Sequence, residues 1–126
     1  MDWNFLIKNK ESLNVTTDSR KVTPGCVFVA IKGEHFDGND FVDQALRDGA
    51  AYVIKGENAV AEMQDLARAW RRELGLPVLC ITGTNGKTTT KELTAAVLRC
   101  KYGDRLLYTQ GNLNNSIGVP LTLLSL

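Results

Sequence analysis

Three short apolar runs punctuate this chain, and each is followed by a stretch with helical spacing. The runs are Cys26-Val27-Phe28-Val29-Ala30-Ile31, Ala51-Tyr52-Val53-Ile54 and Val78-Leu79-Cys80-Ile81. Short continuous apolar runs, rich in β-branched residues and bounded by turn residues, suit strands buried on both faces. The first run is entered through Thr23-Pro24-Gly25 and the third directly from Pro77, both turn signals. After the first run, Asn39 or Asp40 can cap a short helix carrying Phe41, Val42, Ala45 and Leu46 on one face, with Gly49 ending it. After the second, Asn58 can cap a longer helix. Its apolar residues Met63, Leu66, Ala67, Trp70 and Leu74 fall at helical spacing, and Gly75 and Pro77 stop it. After the third, a helix is expected from about residue 88 to 102, with Leu93, Ala96, Val97 and Cys100 on one face and Gly103 at its end. Asn14-Val15-Thr16-Thr17 is a weaker strand candidate, Leu106-Leu107-Tyr108 a further one, and Pro120 suits the first turn of a last helix. Strands alternating with helices predict an α/β fold with mainly parallel pairing.

The chain has 126 residues, enough for one domain or for a small domain and a piece of another. The expected boundary is Leu74-Gly75-Leu76-Pro77, dividing residues 1–76 from 77–126. A first unit of that size can bury roughly 60% of its extended surface. The second holds about two strands, which are marginal alone. It therefore reads as the truncated start of a larger domain, loosely held or packing against a second copy of the chain. The ending Leu123-Leu124-Ser125-Leu126 is an apolar helix face without a stop signal and fits that expectation. Fifteen basic and 14 acidic residues leave a net charge of +1. That balance gives no electrostatic reason to expect nucleic acid or an anionic membrane as partner. No apolar run approaches the roughly 20 residues of a membrane span. Near the N-terminus, Asp2 precedes an apolar run of only Phe5-Leu6-Ile7, which is not a signal peptide. Cys26, Cys80 and Cys100 are odd in number, far apart and outside metal-ligand spacing, as suits a reducing cytoplasm.

The strongest chemical signal is Thr82-Gly83-Thr84-Asn85-Gly86-Lys87-Thr88-Thr89-Thr90. It lies between a candidate strand and a candidate helix. Gly83 and Gly86 then stand where the backbone must turn tightly and approach a ligand closely. Backbone N–H groups and the helix N-terminus point at one anionic group. Lys87 would reach the β- and γ-phosphates of ATP, and a hydroxyl of Thr88 or Thr89 would bind Mg²⁺, with Thr88 assigned to the metal. The spacing is G-x-x-G-K-T, so the general GxxxxGK[ST] pattern is not met, because Ile81 stands where its first glycine would be. A strand-to-helix turn that uses glycine for geometry and threonine for capping explains a lone G-x-x-G. It does not explain Gly-Lys-Thr-Thr at a helix start with an apolar run before it.

Other polar residues have plainer uses. Ser19 and Arg20 suit a turn with local hydrogen bonds. His35, the single histidine, is ordinarily just solvated in a polar loop. Asp37-Gly38-Asn39-Asp40 reads as a turn with a helix cap. The asparagines of 111–115 suit left-handed loop geometry, although three within four positions also suit a ligand. Arg68, Arg71 and Arg72 read as a solvated helix face, and Trp70 as core.

The loop from Thr82 to Glu92 resembles the ATP loop of the Mur ligases, a family of ATP-dependent amide ligases that includes the folylpolyglutamate synthases. Two further stretches carry the resemblance. Thr17-Asp18-Ser19-Arg20 with residues 25–33 and Asp37-Gly38 is similar to the uridine-nucleotide domain that opens the third and fourth peptidoglycan stem ligases. Gly111-Asn112-Leu113-Asn114-Asn115-Ser116-Ile117-Gly118-Val119-Pro120 and the residues up to Leu124 are most similar to the fourth. The resemblance implies a small N-terminal uridine-nucleotide-binding α/β domain, then the start of a central P-loop ATPase domain. It implies a cytoplasmic ligase of peptidoglycan precursor synthesis. That ligase uses ATP and Mg²⁺ to join D-alanyl-D-alanine to UDP-N-acetylmuramoyl-tripeptide through an acyl phosphate, and acts as a monomer. Residue by residue, Gly83, Thr84, Asn85, Gly86, Lys87, Thr88 and Thr89 match the ATP loop, with Lys87 catalytic. Thr17 and Ser19 match positions that contact uridine, and Glu34, His35 and Phe36 the loop against it. Asn112, Asn114 and Asn115 match the loop near the sugar and diphosphate. The family's metal-holding glutamate and histidine, modified lysine, adenine segment and amine-receiving domain have no counterpart here, so the isolated chain is expected to be inactive. Two other readings stay open: the preceding ligase, which adds the third, diamino residue, and a short module that binds a UDP-sugar or phosphate without turnover.

Overall fold

The computed structural model describes residues 2–8, 10–111 and 113–126. Its sheet has three parallel strands, β1 (Val15–Thr16), β2 (Val27–Val29) and β3 (Tyr52–Ile54), in the order β1-β2-β3. Val15 pairs with Val27 and Thr16 with Phe28, while Val27, Phe28 and Val29 pair with Tyr52, Val53 and Ile54. All three residues of β2 are buried, as the first apolar run requires of a central strand. On the edge strand β3 only Ile54 is buried.

Alternation along β2 sorts two cores. Val27 and Val29 face α1 (Asn4–Ile7) and α3 (Ala59–Leu74), against Leu6, Ile7, Met63, Leu66 and Trp70. Phe28 and Ala30 face α2 (Val42–Arg47), against Val42 and Ala45. Helices on both faces make the α/β layering that the alternation of runs predicts. The period-3.6 apolar stripe of α3 is the buried one, and Trp70 is fully enclosed. Gly75, at φ 61°, ends α3 in the left-handed region where glycine carries no Cβ penalty.

Two details of α2 differ from expectation. Its entry is a 3-10 turn, Gly38–Phe41, capped by Asp37 and not by Asn39 or Asp40. The Asp37 carboxylate accepts from the Asn39 backbone N–H at 2.9 Å, so the cap falls one turn earlier than the helical pattern suggests. Leu46 is exposed, because six residues of helix cover too little sheet to bury both ends. Likewise Asn58 precedes α3 without a side-chain cap.

Beyond Pro77 the chain forms α4 (Lys87–Tyr102), a 3-10 turn at Gly103–Arg105 and α5 (Gly118–Leu124). Residues 78–81 and 106–108, both expected as strands, are not strands, and Leu79 is 68% exposed. A strand exists only through its partners, and no other described strand lies beside these runs. The stripe Leu93, Ala96, Val97 and Cys100 does share one face of α4, but that face is open, with Val97 72% exposed. Ala95 is the buried residue of α4. By contrast α5 packs on α3 and β1. Leu124 is 1% exposed within the core of α1, β2 and α3, and Ile117, Leu121 and Leu123 lie against it. Helix α5 is thus held by the core of residues 3–70.

Candidate functional site

The turn before α4 is built on two glycines. Gly83 has φ 151° and Gly86 φ 77°, the second a left-handed conformation that costs a side-chain-bearing residue about 1–2 kcal/mol. Gly86 is the N-cap of α4, and no side chain caps the helix. The Thr90 N–H donates to the Gly86 carbonyl at 2.9 Å, the first bond of the helix. The N–H groups of Lys87, Thr88 and Thr89 therefore stand at the open, positively polarised end. The Lys87 ammonium folds back and donates to the Gly83 carbonyl. That carbonyl is a weak acceptor beside a phosphate oxygen, so the ammonium is held at the loop and remains free to exchange partners. Thr84, Asn85, Thr88 and Thr89 are exposed.

Gly83, Lys87, Thr88 and Asn114 line one groove of about 1040 Å³ between α4 and the segments on either side of it. Gly111 and Asn114 thus lie along the same groove as Gly83 and Lys87. Within the loop of 111–115, Asn115 is committed to structure: its side-chain oxygen accepts from the N–H groups of Ile117 at 3.2 Å and Gly118 at 2.7 Å, capping α5. Gly118 is pressed against Leu113, whose backbone leaves 2.7 Å for any Cβ, which fixes where this loop meets the helix. Asn112 lies outside the described residues.

A second set of predicted residues gathers at the carboxyl edge of the sheet. Thr17 is half-buried and follows β1 directly; Ser19 is buried and opens the 3-10 turn Ser19–Lys21. Asp18 organises that turn. Its carboxylate accepts from the Arg20 backbone N–H at 3.0 Å and from the Arg20 Nε and Nη2, each at 2.9 Å. The Arg20 guanidinium, then its backbone N–H, hold the Asp18 carboxyl down at about 2. The Thr16 hydroxyl accepts the Asp18 N–H at 3.1 Å. Past the end of β2, the backbones of Lys32 and Asp37 pair as an isolated antiparallel β-bridge, and the Gly33 N–H donates to the Phe36 carbonyl at 2.8 Å. Glu34, His35 and Phe36 form the exposed tip of that tight loop, the Phe36 ring 5.1 Å from Phe41. Gly38 closes the loop against Ile31, whose backbone nitrogen would stand 2.7 Å from a Cβ. Asp37 is also held below the usual carboxylate range, first by the Asn39 backbone N–H and then by its side chain. Loops outside the carboxyl ends of neighbouring parallel strands are where open α/β sheets bind ligands. Thr17, Ser19, Glu34, His35 and Phe36 share that edge, and none of them lines the groove beside the phosphate loop.

Lys91 lies in the stretch that resembles the ATP loop, but that resemblance assigns it no role. Its ammonium donates to the carbonyls of Thr109 at 2.7 Å and Gly111 at 3.2 Å, and pairs with Glu92 at 3.2 Å. One helical turn after Lys87, it lies on the same face of α4, and that spacing is the signal that could have singled it out.

Comparison with known proteins gives consistent relatives. The profile described as Mur ligase family, catalytic domain, matches residues 13–102, and that of the Mur ligase middle domain matches 81–126. The UDP-N-acetylmuramoyl-tripeptide–D-alanyl-D-alanine ligase of Escherichia coli K12 is 46% identical over 125 residues, spanning 89% of this chain and 27% of that protein. The protein of the same name from Bacillus subtilis 168 is 42% identical over 127 residues, with the same two shares. The crystal structure of MurF ligase from Thermotoga maritima in complex with ADP superposes with a TM-score of 0.78 at 36% identity, covering 92% of this chain and 30% of that one. The chain therefore spans under a third of the length of these relatives.

Proposed function

The chain belongs to the Mur ligase family, and from that premise we propose that it forms the part of an ATP-dependent ligase that holds the nucleotide phosphates and the uridine end of the substrate. The reaction we assign to the whole ligase joins D-alanyl-D-alanine to UDP-N-acetylmuramoyl-tripeptide in peptidoglycan precursor synthesis, in the cytoplasm. The observation that carries this reading is the uncapped, glycine-turned head of α4 with the Lys87 ammonium held at it.

ATP fits this end of the helix: free N–H groups and a lysine converge where an anion would sit. When bound, it supplies the phosphoryl group that activates a carboxylate. Lys87 would steady the charge on the transferred group, a task of positioning and neutralisation more than covalent chemistry. Mg²⁺ fits a hydroxyl of Thr88 or Thr89 at the exposed head of the helix. No cluster of three His, Cys, Asp or Glu side chains among the described residues is arranged to hold a metal. The ion would thus rest on that hydroxyl, on phosphate oxygens and on carboxylates from elsewhere in the ligase. Thr17, Ser19 and the tip of 34–36 would hold the uridine end at the sheet edge, with Asn114 nearer the phosphates. We put the division between the two units at residues 76 and 77.

The test uses the full-length ligase. Lys87→Ala should lower kcat by about 10²–10³-fold while the affinity for the UDP-linked substrate, read by calorimetry, stays within roughly twofold. Equal loss of both would refute two separable sites.

A further inference from the structure

We propose that Lys91 is a positioning residue that latches the 109–111 segment, and with it Asn114, onto the helix that carries the phosphate loop. The proposal rests on the ligase reading above and adds to it a residue that sets the distance between the two binding elements. The side chain is only 15% exposed. A cation withdrawn that far from water is costly unless it is fully paired. Here the pairing is specific: two main-chain carbonyls two residues apart, at 2.7 Å and 3.2 Å, and the carboxylate of Glu92 at 3.2 Å. Both carbonyls belong to the stretch entering the asparagine loop, which is neither helix nor strand in residues 106–110. Such a stretch has no ladder to fix its place, so side-chain ties must do so.

A second tie acts two helical turns further along α4. Arg99 donates to the Tyr108 hydroxyl at 2.6 Å and lies over its ring, 5.4 Å from the centroid. Arg99 is exposed and lies far from the phosphate loop, whereas Lys91 is one turn from Lys87. The geometry therefore divides the labour: Arg99 keeps the segment on the helix, and Lys91 fixes its height relative to the phosphate loop. Asn114 lines the same groove as Gly83, Lys87 and Thr88, so a shift of the segment moves the sugar-diphosphate contact relative to the phosphoryl donor. A misplacement of about 1 Å at such a site costs up to ~100-fold in rate.

The experiment compares Lys91→Met and Lys91→Arg in the full-length ligase with steady-state kinetics on each substrate separately. Lys91→Met should raise KM for the UDP-linked substrate about tenfold or more while KM for ATP stays within about threefold, and Lys91→Arg should recover most of the loss. If both KM values move together, or neither moves, the latch is refuted. Hydrogen exchange supplies a reading that does not depend on turnover. In Lys91→Met the amides of 109–115 should exchange faster while those of α3 are unchanged; unchanged exchange at 109–115 also refutes the latch. A wild-type enzyme without D-alanyl-D-alanine-dependent ADP release would overturn the ligase reading itself, and the exchange comparison would still decide the latch.

Discussion

Single residues at the sheet edge act through carboxylates that organise their own turns. Asp18 and Asp37 each stand two residues before the backbone N–H they accept, the arrangement that makes a short polar side chain stand in for a turn of backbone. For Asp18 the consequence with pH has a definite sign. The folded value is lowered from 3.8 to about 2, so the carboxylate form favours the folded state. Its contribution is fully present above about pH 4 and is lost as pH falls through about 2. Asp18→Asn should therefore be less stable than wild type near neutral pH, with the gap closing between about pH 4 and pH 2. Thermal melts across that range check it; a gap constant with pH would mean that the pair with Arg20 carries none of the effect. Residue-scale chemistry was the most legible part of the sequence. Gly83, Gly86, Lys87 and the following threonines announce their geometry locally, because a left-handed turn before a helix needs nothing from the rest of the chain. Asn115 was legible as a loop residue, but its choice between capping and ligand contact depends on where Ile117 and Gly118 point, which spacing does not reveal.

At the scale of elements, the strands and helices of residues 15–75 follow their patterns, and those beyond Pro77 follow them in part. The difference is physical. α3 finds its sheet within the same stretch of chain, so its stripe is buried and Trp70 is fully enclosed. Trp70→Ala should cost about 3–5 kcal/mol, from lost transfer energy and the cavity left behind. Urea unfolding should show the midpoint fall with little change in slope; a loss under about 1 kcal/mol would mean that the layer repacks around the gap. The run of residues 78–81 has the same apolar character as β2 but lacks neighbouring strands among the described residues, and apolar character alone makes no hydrogen bonds. The open face of α4 repeats the lesson, since periodicity gives the stripe and tertiary contact decides whether it is covered.

For the whole molecule, the unequal packing of the later segments predicts unequal motion. α5 shares a core with α1, β2 and α3, whereas α4 buries one residue. Native-state hydrogen exchange on the chain should group the amides of α5 with those of α3, with α4 exchanging faster although it is the same length as α3. Equal protection of α4 and α3 would contradict this packing. From the sequence, residues 77–126 are expected to be loosely held or to pack against a second copy of the chain. The sequence could not show that Leu124 would be drawn back into the first core, because contact between positions so far apart leaves no local trace. The return of Leu124 bears on how the chain is made as well as how it is held. A polypeptide emerging from a ribosome completes its early layers first. Here the side of α3 next to β1 stays uncovered until the glycine turn, α4 and the segment after it have all been synthesised. The layers of residues 3–75 can collapse early, but their interior is completed only when Leu124 arrives.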